Sequence, residues 1–231
     1  MYEKSEYRLI ISQNLSSNLN SNIDKKLFKE FKKDDLPIFR VYSWQRSISF
    51  GAGQDPNDYQ NLLKKYENNY SKRATGGGVL FHGHDISYSL VIPSSFVKEK
   101  SVKANYEKIC SFLLKFYENL GLKASFAKDL ENIVLSKNPY CQVGFEAYDI
   151  IIDGKKIGGN AQKISKDVIL QHGSIPLKTV SKDEAFGTSL EDFKIDLDFE
   201  KASKMLIDAF KSTFNVEFKK YEIDIKDFEN I

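Results

Sequence analysis

The chain of 231 residues is poor in cysteine, histidine and arginine. Its two cysteines, Cys110 and Cys141, are too few for the disulfide framework of a small secreted domain, and they lack the repeated spacing of a zinc site. The formal net charge of +2 excludes the broad basic field that favours nucleic acid or anionic membranes. We therefore expect no nucleic-acid partner, no membrane partner and no bound metal.

Long apolar runs are also missing. The longest apolar segments, such as residues 90–92, are strand-sized and far below the roughly 18 residues that span a bilayer. The amino terminus lacks the apolar middle of a signal peptide, which together with the few cysteines predicts a cytoplasmic protein. With 41% hydrophobic and 29% charged residues, the composition is that of a globular protein and excludes the disordered and collagen-like classes.

Periodicity predicts helices and strands in alternation. Helical spacing of apolar residues runs over 18–31, 101–120 and 200–213, and strand character appears at 7–11, 38–42, 47–50, 79–81, 86–92, 148–152 and in two pieces of 156–175. Asp153-Gly154 predicts a type I′ hairpin turn, so strands adjacent in sequence are expected to pair antiparallel. This order favours an α+β fold, a sheet covered by helices, over a doubly wound one. Residues 127–144 are predicted to form a long loop.

Three consecutive glycines follow a pair of cations in the segment Lys72–Gly78, whose residues are Lys-Arg-Ala-Thr-Gly-Gly-Gly. Glycine lets backbone N–H groups approach a ligand closely, and the cations favour an anionic group. The segment has neither the Lys-Ser/Thr ending of a P-loop nor the spacing of a dinucleotide fingerprint. Arginine occurs only at 8, 40, 46 and 73, which singles out Arg73 as a planar donor. A binding loop and a flexible turn are both consistent with this segment.

Two further groups of residues could carry chemistry. His82, His84 and Asp85 lie within four residues of one another, but no other His or Cys cluster accompanies them, so we favour a hydrogen-bonded turn over a metal site. In the second group, the small residues Gly158, Gly159 and Ala161 follow Lys156 and suggest room for a ligand, or for another backbone, close to a fixed cation. Farther along, His172 alternates with apolar residues and is expected to be a hydrogen-bonded histidine packed on the sheet.

Several of these segments together resemble one family. Lys72–His82 is similar to the Arg-Arg-x-Ser/Thr-Gly-Gly-Gly-x-x-x-His-Asp signature of lipoate-protein ligases and octanoyltransferases. Lys156–Gln162 and Gln171–Ile175 resemble the second block of that family, Lys-Ile-x-Gly-Ser/Asn-Ala-Gln with a trailing His-Gly. Phe39–Trp44 looks like its Leu-Arg-x-Tyr-x-Trp. Three blocks in the right order over the first 180 residues or so make the resemblance specific at family level.

The resemblance implies a fold shared with biotin-protein ligases and related to class II aminoacyl-tRNA synthetases, in which a mixed, largely antiparallel sheet forms an acyl pocket. It implies that the glycine loop binds the activated acyl group and that Lys156 is a catalytic residue at the reacting carbonyl. The substrate-binding residues that it implies are Arg73, Thr75, Gly76, Gly77, Gly78, His82, Gly159, Asn160, Ala161, His172 and Gly173. The chain departs from the family pattern at Lys72, which replaces the first Arg, and at Gly83, which replaces the Asp after the His and leaves Asp85 as its substitute.

Cys141 separates the branches of this family. It is similar in position to the catalytic cysteine of the cysteine-dependent octanoyltransferases, on the loop before the strand that leads to Lys156. A thiol near a lysine ammonium has its thiolate stabilised, and a thiolate accepts an acyl group from a thioester at little thermodynamic cost. A buried structural cysteine is the alternative for Cys141, and it is the expected role of Cys110.

The branches differ in cofactors and partners. A transferase would move octanoyl or lipoyl from acyl carrier protein to the lysine of a lipoyl domain, of the glycine-cleavage H protein or 2-oxoacid dehydrogenase type, and would need no cofactor. An ATP-dependent lipoate-protein ligase would need ATP and Mg²⁺, and a non-catalytic member would only bind acyl groups or lipoyl domains. Family ligases generally carry an accessory domain, whereas we expect one catalytic domain over 1–231 with a short extension from about 180. Cys141 and this length favour the transferase.

Overall fold

A computed structural model describes residues 5–96, 102–136 and 138–229. Its helices are α1 (Ser17–Glu30), α2 (Gln60–Lys65), α3 (Val102–Asn119) and α4 (Phe199–Phe214). Its strands are β1 (Ser5–Leu15), β2 (Ile38–Trp44), β3 (Ser47–Phe50), β4 (Tyr70–Lys72), β5 (Leu80–His82), β6 (Asp85–Pro93), β7 (Ala124–Phe126), β8 (Ile150–Ile152), β9 (Lys155–Lys156), β10 (Gly159–Ile164), β11 (Val168–Pro176) and β12 (Val216–Lys220). No helix within these ranges is both long and apolar enough to cross a membrane.

Six strands form the main sheet in the order β10-β11-β6-β2-β1-β12. The strands from β10 to β2 pair antiparallel, as expected, but β2-β1 and β1-β12 pair parallel. The expectation that strands adjacent in sequence pair antiparallel is therefore wrong for β1 and β2. The reason is α1, whose 14 residues form the crossover that a parallel pair requires.

Two small sheets flank the main one. The first has the order β4-β3-β5, and the second has the order β7-β8-β9. Asp153 and Gly154 have φ angles of 49° and 75° between β8 and β9, so the predicted tight hairpin is confirmed. The predicted loop over 127–144 is confirmed for its described residues, which contain a short 3₁₀ turn at Ala127–Asp129 and a single bridge at Tyr140.

Helices α3 and α4 cover one face of the main sheet with an aromatic core. Phe39 of β2 stacks on Phe210 of α4 at 4.3 Å between ring centroids and meets Phe112 of α3 edge-on at 5.7 Å. All three rings are completely buried. Burial of each such ring contributes roughly 1.5–3 kcal/mol, so this face supplies much of the stability of the fold.

Helix α1 covers the opposite face, and its buried surface is mostly polar. The predicted helix over 18–31 is confirmed, but Ser17, Asn20, Ser21 and Asp24 are buried beside Ile23, while Leu19 and Leu27 are only half-buried. These polar residues recur every three or four positions, so they lie on one side of the helix. The polar side of α1 therefore meets the sheet where the sheet itself is polar.

The largest polar contact on this face is an ion pair between β2 and α1. The guanidinium of Arg40 is completely buried and donates to Asp24 Oδ1 at 2.9 Å and to Ser12 Oγ at 3.0 Å. Asp24 also accepts hydrogen bonds from the hydroxyls of Tyr42 at 3.0 Å and Ser89 at 2.7 Å. Burial alone would raise the pKa of Asp24, but Arg40, His172 and Ser89 outweigh it and hold that pKa below its ordinary value.

We predict that Asp24→Ala destabilises the protein by about 3–5 kcal/mol, because it leaves the Arg40 cation buried without a counter-charge. Urea unfolding at neutral pH measures the change. Glu118→Gln is the control, since it breaks the exposed Lys115–Glu118 pair and should cost less than about 1 kcal/mol. Equal effects of the two substitutions would contradict the prediction.

Candidate active site

The glycine loop, residues 73–78, connects β4 to Val79, the residue before β5. Its three glycines differ in backbone conformation and in what an added Cβ would meet. Gly77 has a φ of +96°, which favours glycine, and a Cβ on Gly78 would lie 2.1 Å from the carbonyl oxygen of Pro139. A Cβ on Gly76 would meet nothing within 4 Å. Gly77 and Gly78 therefore allow the loop to pass against the segment that carries Cys141.

Arg73 is the buried centre of this loop. Its Nη1 donates to the carbonyl oxygen and to the hydroxyl of Ser49, both at 2.8 Å, and its Nη2 donates to the Gly78 carbonyl at 2.6 Å. Burial lowers the pKa of Arg73, but guanidinium titrates so high that it stays charged. Lys72, where the family has its first Arg, is exposed on β4 and lies outside this network.

Cys141 lies directly against the loop. Its backbone N–H donates to the Val79 carbonyl at 3.0 Å, and its Sγ accepts the N–H of Gly78 at 3.0 Å. The Arg73 Nη2 is 3.9 Å from the same sulfur. The side chain is partly exposed, whereas Cys110 is completely buried with its pKa raised to about 12 by that burial. A backbone N–H and a guanidinium are both suited to stabilise a negatively charged sulfur.

Two cavities meet at Cys141. The first is partly open to solvent and has aromatic walls from Tyr42 and Trp44. The second is also partly open and is more polar. Cys141, Gly159 and Asn160 line both. Cys141 is therefore partly exposed and borders both a mostly apolar cavity and a polar one.

Most of the predicted site residues line these cavities. The walls of the first include Arg73, His82, Gly159, Asn160, Ala161, His172 and Gly173. The second is lined by Gly77, Gly78 and Lys156. A Cβ on Gly159 would meet nothing within 4 Å, whereas a Cβ on Gly158 would lie 2.4 Å from the Ser174 carbonyl oxygen, so Gly159 faces open space and Gly158 allows another backbone to approach. Of the predicted set, Thr75 and Gly76 line neither cavity.

Lys156 is held by an acidic partner. Its Nζ is 2.6 Å from Asp149 Oδ2 and 3.3 Å from the Gly144 carbonyl oxygen, and both charged side chains are about nine-tenths buried. Burial raises the pKa of Asp149, and the ammonium offsets part of that rise. We expected the lysine ammonium to stabilise the thiolate, but the cation in contact with the sulfur in the described part of the chain is Arg73. The physical reason is the carboxylate of Asp149, which binds the Lys156 ammonium.

His172 connects the loop to helix α1. Its Nε2 is 2.6 Å from Thr75 Oγ1, and its Nδ1 is 3.4 Å from Asp24 Oδ2. Burial lowers the pKa of His172, which favours the neutral ring. The expectation of a hydrogen-bonded histidine packed on the sheet is confirmed. Thr75 thus contributes to the site through His172 although it lines no cavity.

His82 also has both ring nitrogens occupied. Nδ1 is 2.8 Å from Asp85 Oδ2 and Nε2 is 2.7 Å from Ser49 Oγ. The indole of Trp44 stacks on the ring at 3.9 Å. The predicted hydrogen-bonded turn is confirmed, with Asp85 as the carboxylate partner of this histidine. Gly83 has a φ of +105° in the turn, and its N–H donates to Asp85 Oδ1 at 3.1 Å.

Sequence reasoning did not identify several residues of the site. The first cavity is also lined by Tyr42, Trp44, Leu80, Ser87 and Ser174, and the second by Asp149. Tyr42 and Trp44 lie in the block that resembles the family and alternate with Arg40 on one face of β2, so strand parity could have found them. Nothing local marks Asp149, because its partner Lys156 is brought to it by the β8-β9 hairpin.

Comparison with known proteins shows which family the chain belongs to. A model of the lipoyl protein ligase A/B catalytic domain matches residues 17–194. The chain belongs to this family. The matched range contains the glycine loop, Cys141, Lys156 and His172.

Two octanoyltransferases resemble this family member over much of its length. Octanoyltransferase LipM of Macrococcus caseolyticus is 37% identical over 159 residues, which are 65% of this chain and 57% of that protein. LipM of Bacillus subtilis is 32% identical over 197 residues, which are 80% of this chain and 69% of that protein. The chain thus spans between 57% and 69% of the length of these two relatives.

A solved structure confirms the predicted fold class. The crystal structure of lipoate-protein ligase A bound with ATP has a TM-score of 0.78 to this chain at 22% identity, and the match covers 96% of this chain and 92% of that chain. The likeness extends to the mixed sheet and its helices. The expected α+β fold of the lipoate-protein ligase class is therefore correct.

The contrast between Gly76 and Gly78 can be tested by stability. Gly78→Ala should lower the melting temperature by several degrees, because its Cβ would overlap the Pro139 backbone and force the two segments apart. Gly76→Ala should leave the melting temperature within about 2 °C, since its Cβ meets open space. Thermal unfolding by circular dichroism measures both. Equal shifts would show that the close approach of the two backbones is not what requires glycine.

The Asp85 contacts predict a pH dependence of stability. Donors such as His82 and Ser174 lower the pKa of Asp85 from 3.8 to about 2 against the effect of burial. A lowered folded-state pKa stabilises the protein above about pH 4, and the contribution is lost as the pH falls toward 2. Between pH 5 and pH 3 the protein should lose about 1 kcal/mol of unfolding free energy through this carboxyl.

Urea unfolding of Asp85→Asn across the same pH range measures that contribution, because the variant has no carboxyl to titrate at this position. Asp153→Asn is the matched control, since Asp153 is exposed and Asn-Gly suits its type I′ turn as well as Asp-Gly does. The acid slope should become shallower in Asp85→Asn alone. The same slope in both variants would contradict the assignment.

Proposed function

We propose that the protein is an acyltransferase of lipoyl assembly. It moves octanoyl, or lipoyl, from a carrier thioester to Cys141 and then to the lysine of a lipoyl domain. Acyl carrier protein is the proposed donor, and the lipoyl domains of glycine-cleavage H protein or 2-oxoacid dehydrogenases are the proposed acceptors. The reaction needs no cofactor. The relatives named octanoyltransferase LipM support this reading.

The observation that carries the proposal is the environment of the Cys141 sulfur. It is partly exposed, lies between two cavities, and is contacted by the Gly78 N–H at 3.0 Å and the Arg73 guanidinium at 3.9 Å. A structural cysteine is normally completely buried, as Cys110 is. A sulfur with two electropositive neighbours and an open approach is suited to act as a nucleophile.

Two steps complete the reaction. In the first, Sγ attacks the thioester carbonyl, the bond to the carrier sulfur breaks, and the carrier leaves as a thiol after gaining a proton. In the second, the acceptor amine attacks the Cys141 thioester, an amide forms, and the cysteine sulfur is released. The first step exchanges one thioester for another, so it is nearly balanced in free energy, and amide formation makes the sequence favourable.

The two cavities suit different parts of this reaction. The aromatic walls of the first, Tyr42 and Trp44, suit an acyl chain, whose transfer from water contributes about 0.8 kcal/mol per methylene. The polar cavity contains the Lys156–Asp149 pair. We assign Lys156 to stabilise the oxyanion that develops on the carbonyl, an interaction that is worth several kcal/mol in a preorganised site.

The fold is also that of an ATP-dependent ligase, so one assay compares the two reactions. A purified lipoyl domain is incubated with the protein and either octanoyl-carrier, or lipoate with ATP and Mg²⁺, and intact-mass spectrometry follows both proteins. We expect octanoyl on the lipoyl domain in the first mixture and an octanoyl adduct on the enzyme. Modification in the second mixture alone would identify a ligase, and binding without modification would identify a non-catalytic member.

Cys141→Ala should abolish both the adduct and the transfer, because the variant has no sulfur at this position to accept the acyl group. Cys110→Ala is the matched control. It removes the other cysteine, which is completely buried, and should keep the adduct. Full transfer by Cys141→Ala would overturn the two-step mechanism.

A further inference from the structure

The proposed nucleophile depends on Arg73, and Arg73 is itself held from behind. A row of buried side chains leads away from the guanidinium: Ser49, then His82, then Asp85. Each is bonded to the next, at 2.8 Å from Arg73 Nη1 to Ser49 Oγ, 2.7 Å from Ser49 Oγ to His82 Nε2, and 2.8 Å from His82 Nδ1 to Asp85 Oδ2. None of the three touches the Cys141 sulfur.

The chemistry of the groups fixes the two outer hydrogen bonds of this row. Arginine can only donate, so the Ser49 oxygen accepts from it. A carboxylate can only accept, so His82 Nδ1 donates to Asp85 Oδ2. Between them, the Ser49 hydroxyl and His82 Nε2 share one hydrogen bond. Both ring nitrogens of His82 therefore have partners.

Asp85 anchors the far end. Its Oδ2 also accepts the hydroxyls of Ser174 at 2.6 Å and Ser87 at 3.2 Å, and Ser87 in turn accepts the Trp44 indole N–H at 2.9 Å. Trp44 covers one face of the histidine ring at 3.9 Å. With both nitrogens bonded and one face covered, His82 has no ring nitrogen left to bind a ligand. Its contact with the cavity is therefore through the ring alone.

The near end controls where the positive charge lies. The guanidinium is planar, so fixing Nη1 on Ser49 fixes Nη2 as well. Nη2 is the atom that lies 3.9 Å from Cys141 Sγ and 2.6 Å from the Gly78 carbonyl. A rotation of the guanidinium would move the charge away from the sulfur.

We propose that Ser49, His82 and Asp85 are positioning residues that hold the Arg73 guanidinium against the Cys141 sulfur. The inference rests on the proposed role of Cys141 as the nucleophile. It assigns His82 a place behind Arg73 instead of in substrate binding. It also assigns a role to the Asp85 carboxylate, since this chain has Gly83 where the family pattern has aspartate.

The test uses alkylation of the full-length protein by iodoacetamide, with the modified cysteine identified by mass spectrometry. Ser49→Ala removes the hydroxyl that joins Arg73 to His82 and leaves the Ser49 carbonyl bond to Arg73 in place. We expect Cys141 to react about fivefold more slowly at pH 7 and the midpoint of its pH–rate profile to move to higher pH. Ser47→Ala is the matched control, because the hydroxyl of this buried serine on the same strand donates to the Gln45 carbonyl, at 2.9 Å, and to no group of the row.

A second background separates positioning from a general loss of structure. In Arg73→Lys the side chain has a single ammonium group and no planar guanidinium for the row to orient. Adding Ser49→Ala to this variant should therefore cause no further slowing of alkylation. Asp85→Asn should slow alkylation in the wild-type background and not in Arg73→Lys. Equal slowing by Ser49→Ala in both backgrounds, or slowing by Ser47→Ala as well, would overturn the proposal.

Alkylation needs no acyl donor, so it is independent of the transfer assay. If the protein forms no octanoyl adduct but Ser49→Ala still slows alkylation only when Arg73 is present, the proposed function fails and the positioning role stands. If the adduct forms and Ser49→Ala leaves the alkylation rate and its pH profile unchanged, the proposed function stands and the positioning role is overturned.

Discussion

The site depends on one buried guanidinium. Arg73 is buried away from water, and its terminal nitrogens donate to Ser49 on β3 and to Gly78 in its own loop while Nη2 faces the sulfur of Cys141. Among the described residues its Nε has no hydrogen-bond partner. A buried arginine without partners would cost several kcal/mol of folding free energy. The hydrogen bonds of Arg73 therefore hold strand β3 and the glycine loop together. The close packing of the glycine loop on residues 139–141 follows from the same requirement, because only glycine at 78 lets the two backbones approach.

Two carboxylate–histidine pairs support the loop from behind. Asp85 and His82 lead to Arg73, and Asp24 and His172 lead to Thr75. The pairs enter from different elements, β6 with β5 in one case and α1 with β11 in the other. Such buried networks are costly unless every member is satisfied, and when satisfied they fix one geometry. They therefore offer rigidity to a loop that is rich in glycine.

The division of the two sheet faces explains where the cavity lies. The face under α3 and α4 is filled by aromatic and aliphatic side chains, and a packed core leaves no room for a ligand. The face under α1 is apolar near Ile38 and polar near Arg40 and Ser89. Gly159 on β10, where a Cβ would meet nothing within 4 Å, leaves space in the first cavity beside that polar region. Lys156 approaches from the neighbouring hairpin and adds a charge to the second cavity.

The sequence alone determined the class of the fold and the composition of most of the site. Helical and strand periods are local properties, so α1, α3, α4 and most of the main-sheet strands could be predicted, as could the Asp153-Gly154 turn. The glycine loop and the Lys156 block were predicted to belong to the site through their resemblance to the lipoate-protein ligase family, because a glycine run alone is equally consistent with a turn. The elements α2, β4, β7 and β12 could not be predicted, because most of their residues are exposed or half-buried and form no apolar run. The equally short strands β3, β5 and β8 are fully buried and could be predicted.

Only the tertiary structure decided which charges face each other. The pairs Lys156–Asp149, Arg40–Asp24 and Arg73–Cys141 join residues from different elements, and no local pattern records such contacts. The polar side of α1 was hidden for the same reason: its serines, Asn20 and Asp24 are typical of an exposed face until Arg40 and Ser71 are placed opposite them. Sequence determined which groups are available, and the packing of strands and helices determined which cation meets the sulfur, because electrostatic interactions depend on distance in space and not along the chain.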